Sequence, residues 1–304
     1  MGYGMINQPV VTIYECPALT MLAKDGQTIS SISDQALYGM LISITGSEVN
    51  GFYPVRTFYG YDGYLLKGDV TVCSEEAARV WEGANLHVVS GICVDVTSLP
   101  RVQGVCYESL YRGALVSVLE WNCENEGWAK VELLDGRIGY MRNQYLMEKK
   151  FSQEGVFTGV PAQKSISDEE AFRSAVVATA KSFLGVQYRW GGRCTAGLDC
   201  SGLTSQSYLL NGVLTWRDAK IVEGFPVHEI ARESIKPGDL LYFPGHIAMY
   251  IGDGDYIHST GHIGSGGVVL NSLNPESPLY RQDLVDSMYA AGSIFYTPET
   301  TLSH

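Results

Sequence analysis

The sequence predicts an α+β chain in which small all-β modules precede a domain that begins with helices and ends in an antiparallel sheet. Three observations carry this reading. The first 150 residues break into short β-rich runs separated by Gly, Pro, Asn and Asp, and a pattern recurs within them. Beyond residue 165 an amphipathic helix is followed by a second helix and three strand-like runs. Helices segregated from an antiparallel sheet define the α+β class.

The β-rich part is read from VVTIYECP, GMLISITG, FYPVRTFYG and YLLKGDVTV, which have the length and composition of strands in small barrels or sandwiches. Leu37-Tyr38-Gly39 returns as Leu110-Tyr111-Arg112-Gly113, and Asp62-Gly63-Tyr64 returns as Asp135-Gly136 followed by Gly139-Tyr140, both at an offset of 73. Two matches at one offset predict a duplicated module of about 70 residues, placed at 1–80 and 81–150. The polar, aperiodic stretch 151–166 reads as a linker. Ser167-Asp168-Glu169-Glu170 then has the capping-box spacing. Phe172, Val176, Thr179 and Phe183 share one helical face, and Gly185 ends the helix. A third domain therefore spans 167–304, with LLYF, IAMYI and YIHS as sheet strands.

Bulk properties narrow the function. At 304 residues, with 45% hydrophobic and 18% charged residues, the chain can bury real cores. A formal net charge of −12 with no Lys/Arg cluster disfavours nucleic acid, and disfavours anionic membranes and wall polymers for the same reason. No run reaches the roughly 18 apolar residues of a membrane span. The start MGYGMINQPVVTIYECP lacks the basic residues and apolar block of a secretion signal, so the expectation is a cytoplasmic protein. The seven cysteines, at 16, 73, 93, 106, 123, 194 and 200, form no CxxC and no zinc-finger spacing with histidine. In a reducing compartment such residues are mostly small buried apolar groups. GDGD at 252–255 lacks the acidic spacing of a calcium loop, and GSGG at 264–267 is not placed as a phosphate cradle. No metal or organic cofactor is predicted.

Cys200 is the exception among the cysteines. In GLDCSGLTSQSYLL, Asp199 or Cys200 can cap a helix that continues through Leu203, Ser207 and Leu210. A thiol at a helix start is expected to have its pKa lowered by the terminal N–H groups and their partial positive charge. The segment PGHIAMYIGDGDYIHSTG adds two histidines on neighbouring strands. A connection leaving 251–255 unpaired sets His258 opposite Ala248, with His246 its diagonal neighbour on the same face. A two- or four-residue loop reverses that parity and separates them. Cys200 as nucleophile, His246 as base and then acid, and His258 as the group orienting His246 make a triad. A Cys-His-His zinc site is the alternative for the same residues, without a clear fourth ligand. His87, His228, His262 and His304 read as ordinary polar residues.

YRWGGRCTAGLDCSGL (188–203), PGDLLYFPGHIAMYI (237–251) and YIHSTG (256–261) together resemble the motifs of the NlpC/P60 family in their order along the chain. The resemblance implies a compact papain-like catalytic domain. It assigns Cys200, His246 and His258 to the family's nucleophile, base and orienting positions. It places the Tyr188 hydroxyl beside the oxyanion, with the Cys200 N–H as the second donor. The run GALVSVLEWNCENEGWAKVELLDGRIGYMRNQYL resembles a bacterial SH3-like domain over roughly 86–148, and the first copy is a more divergent one. Family members mostly cleave the γ-D-glutamyl bond to a diamino acid in peptidoglycan-derived peptides. Two SH3-like modules resemble the branch that releases L-Ala-γ-D-Glu from peptides with a free N-terminal alanine. In that branch the first SH3-like module helps close one end of the cleft and reads the amine, a job that an acidic residue suits because a buried ammonium needs a countercharge; Asp199 is one candidate, and Glu48 and Tyr64 from the first module are others. Thr215-Trp216-Arg217-Asp218-Ala219 resembles the segment beside the D-Glu site, which adds Arg217 and Asp218. Trp216 departs from the usual proline, and Ala219 lacks a hydroxyl. Ser201 either donates to the D-Glu carboxylate or satisfies the helix start. The other readings are amidase or acyltransferase chemistry on the same domain, and a wall-binding SH3 protein with an inactive one.

Overall fold

The computed structural model describes residues 2–123 and 126–296. His304 lies outside them. The chain divides into two compact units, Met1–Ala162 and Gln163–His304.

The first unit holds two seven-stranded antiparallel sheets built to one plan. The first sheet orders its strands Ile32–Leu37, Val10–Tyr14, Asp62–Leu66, Phe52–Thr57, Leu41–Ile44, Gly2–Ile6, Val70–Cys73. The second orders them Cys106–Tyr111, Cys93–Thr97, Ile138–Arg142, Trp128–Glu132, Leu115–Trp121, Leu86–Val89, Leu146–Glu148. Each position in one order is taken by the strand of the same rank in the other, which is the topological mark of a duplication. The register of the repeat differs from the sequence reading. Thr57 N–H donates to Tyr61 O and Gly60 N–H to Thr57 O, as Leu133 N–H donates to Arg137 O and Gly136 N–H to Leu133 O. Residues 57–61 thus match 133–137 at an offset of 76. Gly39 and Gly113 match at 74 by the same test, their N–H groups donating to Ile6 O and Val89 O. Loops of unequal length carry the change, so Asp62-Gly63 aligns with strand residues and not with the Asp135-Gly136 turn. Residues after the second sheet pack back on the first module: Phe151 stacks on Phe58 with ring centroids 5.5 Å apart, and Gln153 Oε1 accepts from Leu41 N–H at 2.8 Å.

The second unit is α+β. Helix α1 (Glu169–Lys181) starts one residue later than the capping-box reading: Asp168 is the cap, its carboxylate accepting from Ala171 N–H at 3.0 Å. Phe172, Val176 and Phe183 are buried, with Phe183 just past the helix end. Helix α2 (Cys200–Leu209) is buried along all ten residues, so it is enclosed on every side rather than amphipathic. The sheet comprises β1 (His228–Ile230), β2 (Leu240–Phe243), β3 (His246–Gly252), β4 (Asp255–Thr260), β5 (Gly267–Ser272) and β6 (Ala290–Ser293). Its order is β1-β6-β2-β3-β4-β5, antiparallel throughout. A short helix, α3 (Gln282–Ser287), precedes β6. Leu284 and Met288 pack with Leu241, Phe243, Ala248 and Tyr256 in one apolar cluster. Among the described residues no helix is long and apolar enough to cross a membrane.

Candidate active site

The nucleophile candidate sits where two glycine motifs force backbones together. A Cβ on Gly202 would lie 2.0 Å from Gly192 O, and one on Gly192 would lie 2.4 Å from Gly197 O. Only glycine fits such an approach, which accounts for the second glycine of Trp-Gly-Gly and the last residue of Asp-Cys-Ser-Gly. Asp199 N–H donates to Gly192 O at 3.2 Å, joining the two segments. Asp199 is the N-cap of α2: its Oδ1 accepts from Gly202 N–H at 2.5 Å. Cys200 is therefore the first helical residue, 8% exposed.

Asp199 does not stand alone. Arg217, 1% exposed, donates to Oδ1 at 3.0 Å and to Oδ2 at 2.9 Å, and to Ser201 Oγ at 2.8 Å. A two-pronged guanidinium matches a carboxylate in this way. Of the two roles open to Ser201, the structure displays the local one, with its hydroxyl between Arg217 and the Asp199 carboxylate. Asp218 follows on the chain and is half-buried.

The histidines come together by a route that the loop-length reading did not contain. The turn is a two-residue one at Asp253-Gly254, both with positive φ (55° and 85°), and Gly252 pairs with Asp255. That turn alone would put the two imidazoles on opposite faces. A bulge between Tyr250 and Gly252 shifts the register by one, so Tyr250 pairs with Tyr256 and Met249 with Ile257. The bulge restores the parity, and His246 Nε2 lies 2.7 Å from His258 Nδ1. Asn271 of β5, absent from the sequence reading, extends the line: its Oδ1 is 2.8 Å from His258 Nε2. Nothing local marks it, because it lies 13 residues beyond His258 on the next strand.

The backbone N–H groups of Ile247, the residue after His246, and of Ser201 favour the Cys200 thiolate electrostatically, which sets the sulfur beside the strand that carries His246. This ties the helix start to the first turn of sheet on which the histidines stand. Ser259 Oγ, beside His258, donates to Leu198 O at 2.6 Å and closes the same seam. Tyr188 is bridged to Leu198, two residues before Cys200. Its N–H donates to Gly266 O at 2.9 Å, and its ring lies 3.3 Å from where a Cβ on Gly261 would stand.

The electrostatics differ from the helix-terminus expectation. Burial pushes the Cys200 thiol up to about 11, and the Asp199 carboxylate adds to the rise. The Ile247 N–H, Arg217 and the Ser201 N–H oppose it without winning. The first reason is burial, which disfavours the thiolate; the second is that the cap at this helix start is itself an anion, which offsets the terminal dipole next to the sulfur. Burial, with His258 and Arg281 adding to it, lowers His246 to about 3, and burial lowers His258 to about 4 against the opposing hydrogen bond to Asn271. Tyr188 is pushed up to about 12 by burial and by the charges of Cys200 and Asp199. The resting site is thus a neutral thiol beside neutral imidazoles and a protonated phenol.

The remaining candidates lie in the first unit. Glu48 is exposed and paired with Lys67 at 2.8 Å. Tyr64 is half-buried on Asp62–Leu66, opposite Tyr14. Among the described residues no group of three or more His, Cys, Asp and Glu could hold a metal, so the Cys-His-His zinc arrangement is not formed.

A thiol at a helix start, backed by a sheet carrying hydrogen-bonded imidazoles, defines a cysteine peptidase of papain-like build. The NlpC/P60 family model matches residues 185–285. The chain is 40% identical over 267 residues to dipeptidyl-peptidase 6 of Lysinibacillus sphaericus, covering 88% of this chain and 93% of that protein. It belongs to the NlpC/P60 family. It is also 38% identical over 92 residues to the γ-D-glutamyl-L-lysine dipeptidyl-peptidase of Bacillus cereus, spanning 27% of that relative. A crystal structure of an NlpC/P60 family protein from Bacillus cereus shares the fold, with a TM-score of 0.70 and 19% identity over 95% of this chain and 98% of that one. The N-terminal all-β region fits the SH3-like reading.

Proposed function

We propose that this cysteine peptidase cleaves the γ-D-glutamyl bond to a diamino acid in peptidoglycan-derived peptides that carry a free N-terminal L-alanine, releasing L-Ala-γ-D-Glu. The observation that carries the reading is Cys200 at the first position of a buried helix packed on the sheet in which His246 and His258 meet at 2.7 Å. The likeness to dipeptidyl-peptidase 6 supports the substrate class.

In the proposed chemistry the Cys200 thiol attacks the γ-carbonyl carbon and its proton passes to His246. Because thiol and imidazole both rest neutral, the transfer accompanies the attack. Tyr188 O–H and Cys200 N–H donate to the developing oxyanion. His246 returns the proton to the departing amine, leaving a thioester on Cys200. Water then attacks the thioester, its proton is taken by His246, and the thiol is restored as the dipeptide leaves. Ser201, Arg217 and Asp218 line the dipeptide side, and the free amine is read by Asp199 or by Glu48 or Tyr64 of the first of the two N-terminal modules (1–80 and 81–150, joined to the catalytic domain by 151–166). A cytoplasmic place among peptides already freed from the wall suits this specificity.

The test is incubation with peptides ending in diaminopimelate or lysine, each with a free or an acetylated N-terminal alanine, read by mass spectrometry. Release of L-Ala-γ-D-Glu from the free-amine peptides alone is expected. Equal cleavage of the acetylated peptides would remove the amine-reading part of the proposal.

A further inference from the structure

The hydrogen-bond roles along the histidine line are not free. Asn271 Nδ2 donates to Leu279 O at 2.8 Å, and Ser272 N–H donates to the same carbonyl at 3.0 Å. A peptide carbonyl can only accept, so the amide nitrogen of Asn271 faces Leu279 and its Oδ1 faces His258. At 2.8 Å from that oxygen, His258 Nε2 carries the proton. A neutral imidazole with its proton on Nε2 has a lone pair on Nδ1. His246 Nε2, 2.7 Å from that lone pair, must then be the donor. The lone pair of His246 is left on Nδ1. Each assignment forces the next, from a backbone carbonyl to the base.

We propose that Asn271, itself oriented by the Leu279 carbonyl, is a positioning residue that sets the tautomers of His258 and His246 and so makes His246 Nδ1 the atom that takes the thiol proton. Its rate consequence rests on the peptidase reading above; the tautomers do not. With the amide reversed, or replaced by an apolar side chain, His258 can carry its proton on Nδ1 and donate to His246 Nε2. His246 would then be protonated on Nδ1, with no lone pair for the thiol. Burial keeps both rings neutral, the condition under which a tautomer is defined at all.

The test uses the full chain with histidine rings labelled with nitrogen-15. In the unsubstituted protein at neutral pH, the ring spectra should show His258 and His246 both protonated on Nε2 and unprotonated on Nδ1. A spectrum with either ring protonated on Nδ1 overturns the proposal without any variant. Asn271→Leu should lose the single-tautomer pattern at His258 and lower kcat about a hundredfold, near the low end of what general acid–base catalysis contributes, with KM changed less than about threefold. Asn271→Asp keeps an oxygen toward His258; it should retain the tautomers and recover kcat to within about tenfold. Unchanged ring spectra in a folded Asn271→Leu protein, or equal kcat losses in the Leu and Asp variants with unchanged spectra, would contradict the proposal. The spectra require no substrate, so a wrong substrate assignment cannot be mistaken for a failure here.

Discussion

The buried arginine–aspartate pairs Arg217–Asp199 and Arg173–Asp239 of the catalytic unit do different work. Arg217 and Asp199 meet at 2.9 Å with side chains 1% and 10% exposed; Arg173 and Asp239 meet at 2.8 Å with side chains 10% and 1% exposed. The first pair holds the start of the Cys200 helix and reaches Ser201. The second holds the turn before β2. Asp239 accepts from Lys236 N–H at 2.8 Å and from Ser293 Oγ at 2.5 Å, while Arg173 donates to Pro237 O at 2.8 Å. That turn sets the Pro-Gly-Asp-Leu strand against which the His246 strand pairs, so each pair fixes one side of the site. Only the first pair has its charges among those acting on the thiol. Similar burial and similar closeness, two-pronged in the first pair and single in the second, therefore accompany one device that is structural and another that also tunes chemistry.

Breaking either pair should have the largest effect on stability. Arg217→Met and Arg173→Met each leave a buried carboxylate without its partner, and each should cost about 3–5 kcal/mol in denaturant unfolding. The comparison sharpens in the folded fraction. Arg217→Met should slow iodoacetamide alkylation of Cys200, because it removes a charge that holds the thiol down, whereas Arg173→Met should leave the alkylation rate unchanged. Equal slowing in both variants would erase the distinction.

A smaller effect follows from the imidazoles. Both have folded-state pKa values below the unfolded value, so the unfolded chain binds more protons between the two. Their contribution to stability is present above about 6.5 and is lost as pH falls toward about 4 for His258 and about 3 for His246. The melting temperature should drop across that window, and His258→Gln should flatten the drop relative to its own value at pH 7. A drop of the same size in the variant would assign the acid lability to other groups.

The smallest stability effect is expected at Glu48, whose partner Lys67 is exposed. Such pairs contribute little, so Glu48→Gln should leave the unfolding midpoint unchanged. If Glu48 reads the substrate amine, the same change raises KM about tenfold for free-amine peptides; an unchanged KM would leave Asp199 and Tyr64 as the amine-reading candidates.

The residue types and order of the site were legible because each is demanded locally: a cap before a helix, glycines where backbones touch, histidines on a hairpin. What depends on distant partners was not. The spacing from His246 to His258 left the face of each ring open, and a bulge at Ile251, which no residue type announces, decided it. The thiol's environment is set by how deeply the whole helix is buried, and then by an anionic cap whose arginine partner lies 18 residues away, neither of which the local segment displays. Asn271 was missed for the same reason. The duplication was visible as recurring Gly and Tyr, but unequal turns hid the offset of 76 that the hydrogen bonds reveal.

The most direct measurement of the central claim compares the protein with Cys200→Ala on L-Ala-γ-D-Glu-diaminopimelate, following free diaminopimelate and the melting temperature together. Loss of release by more than about a thousandfold, with the melting temperature held, is the predicted result. Undiminished release from the alanine variant would show that the sulfur at the start of this helix is not the nucleophile.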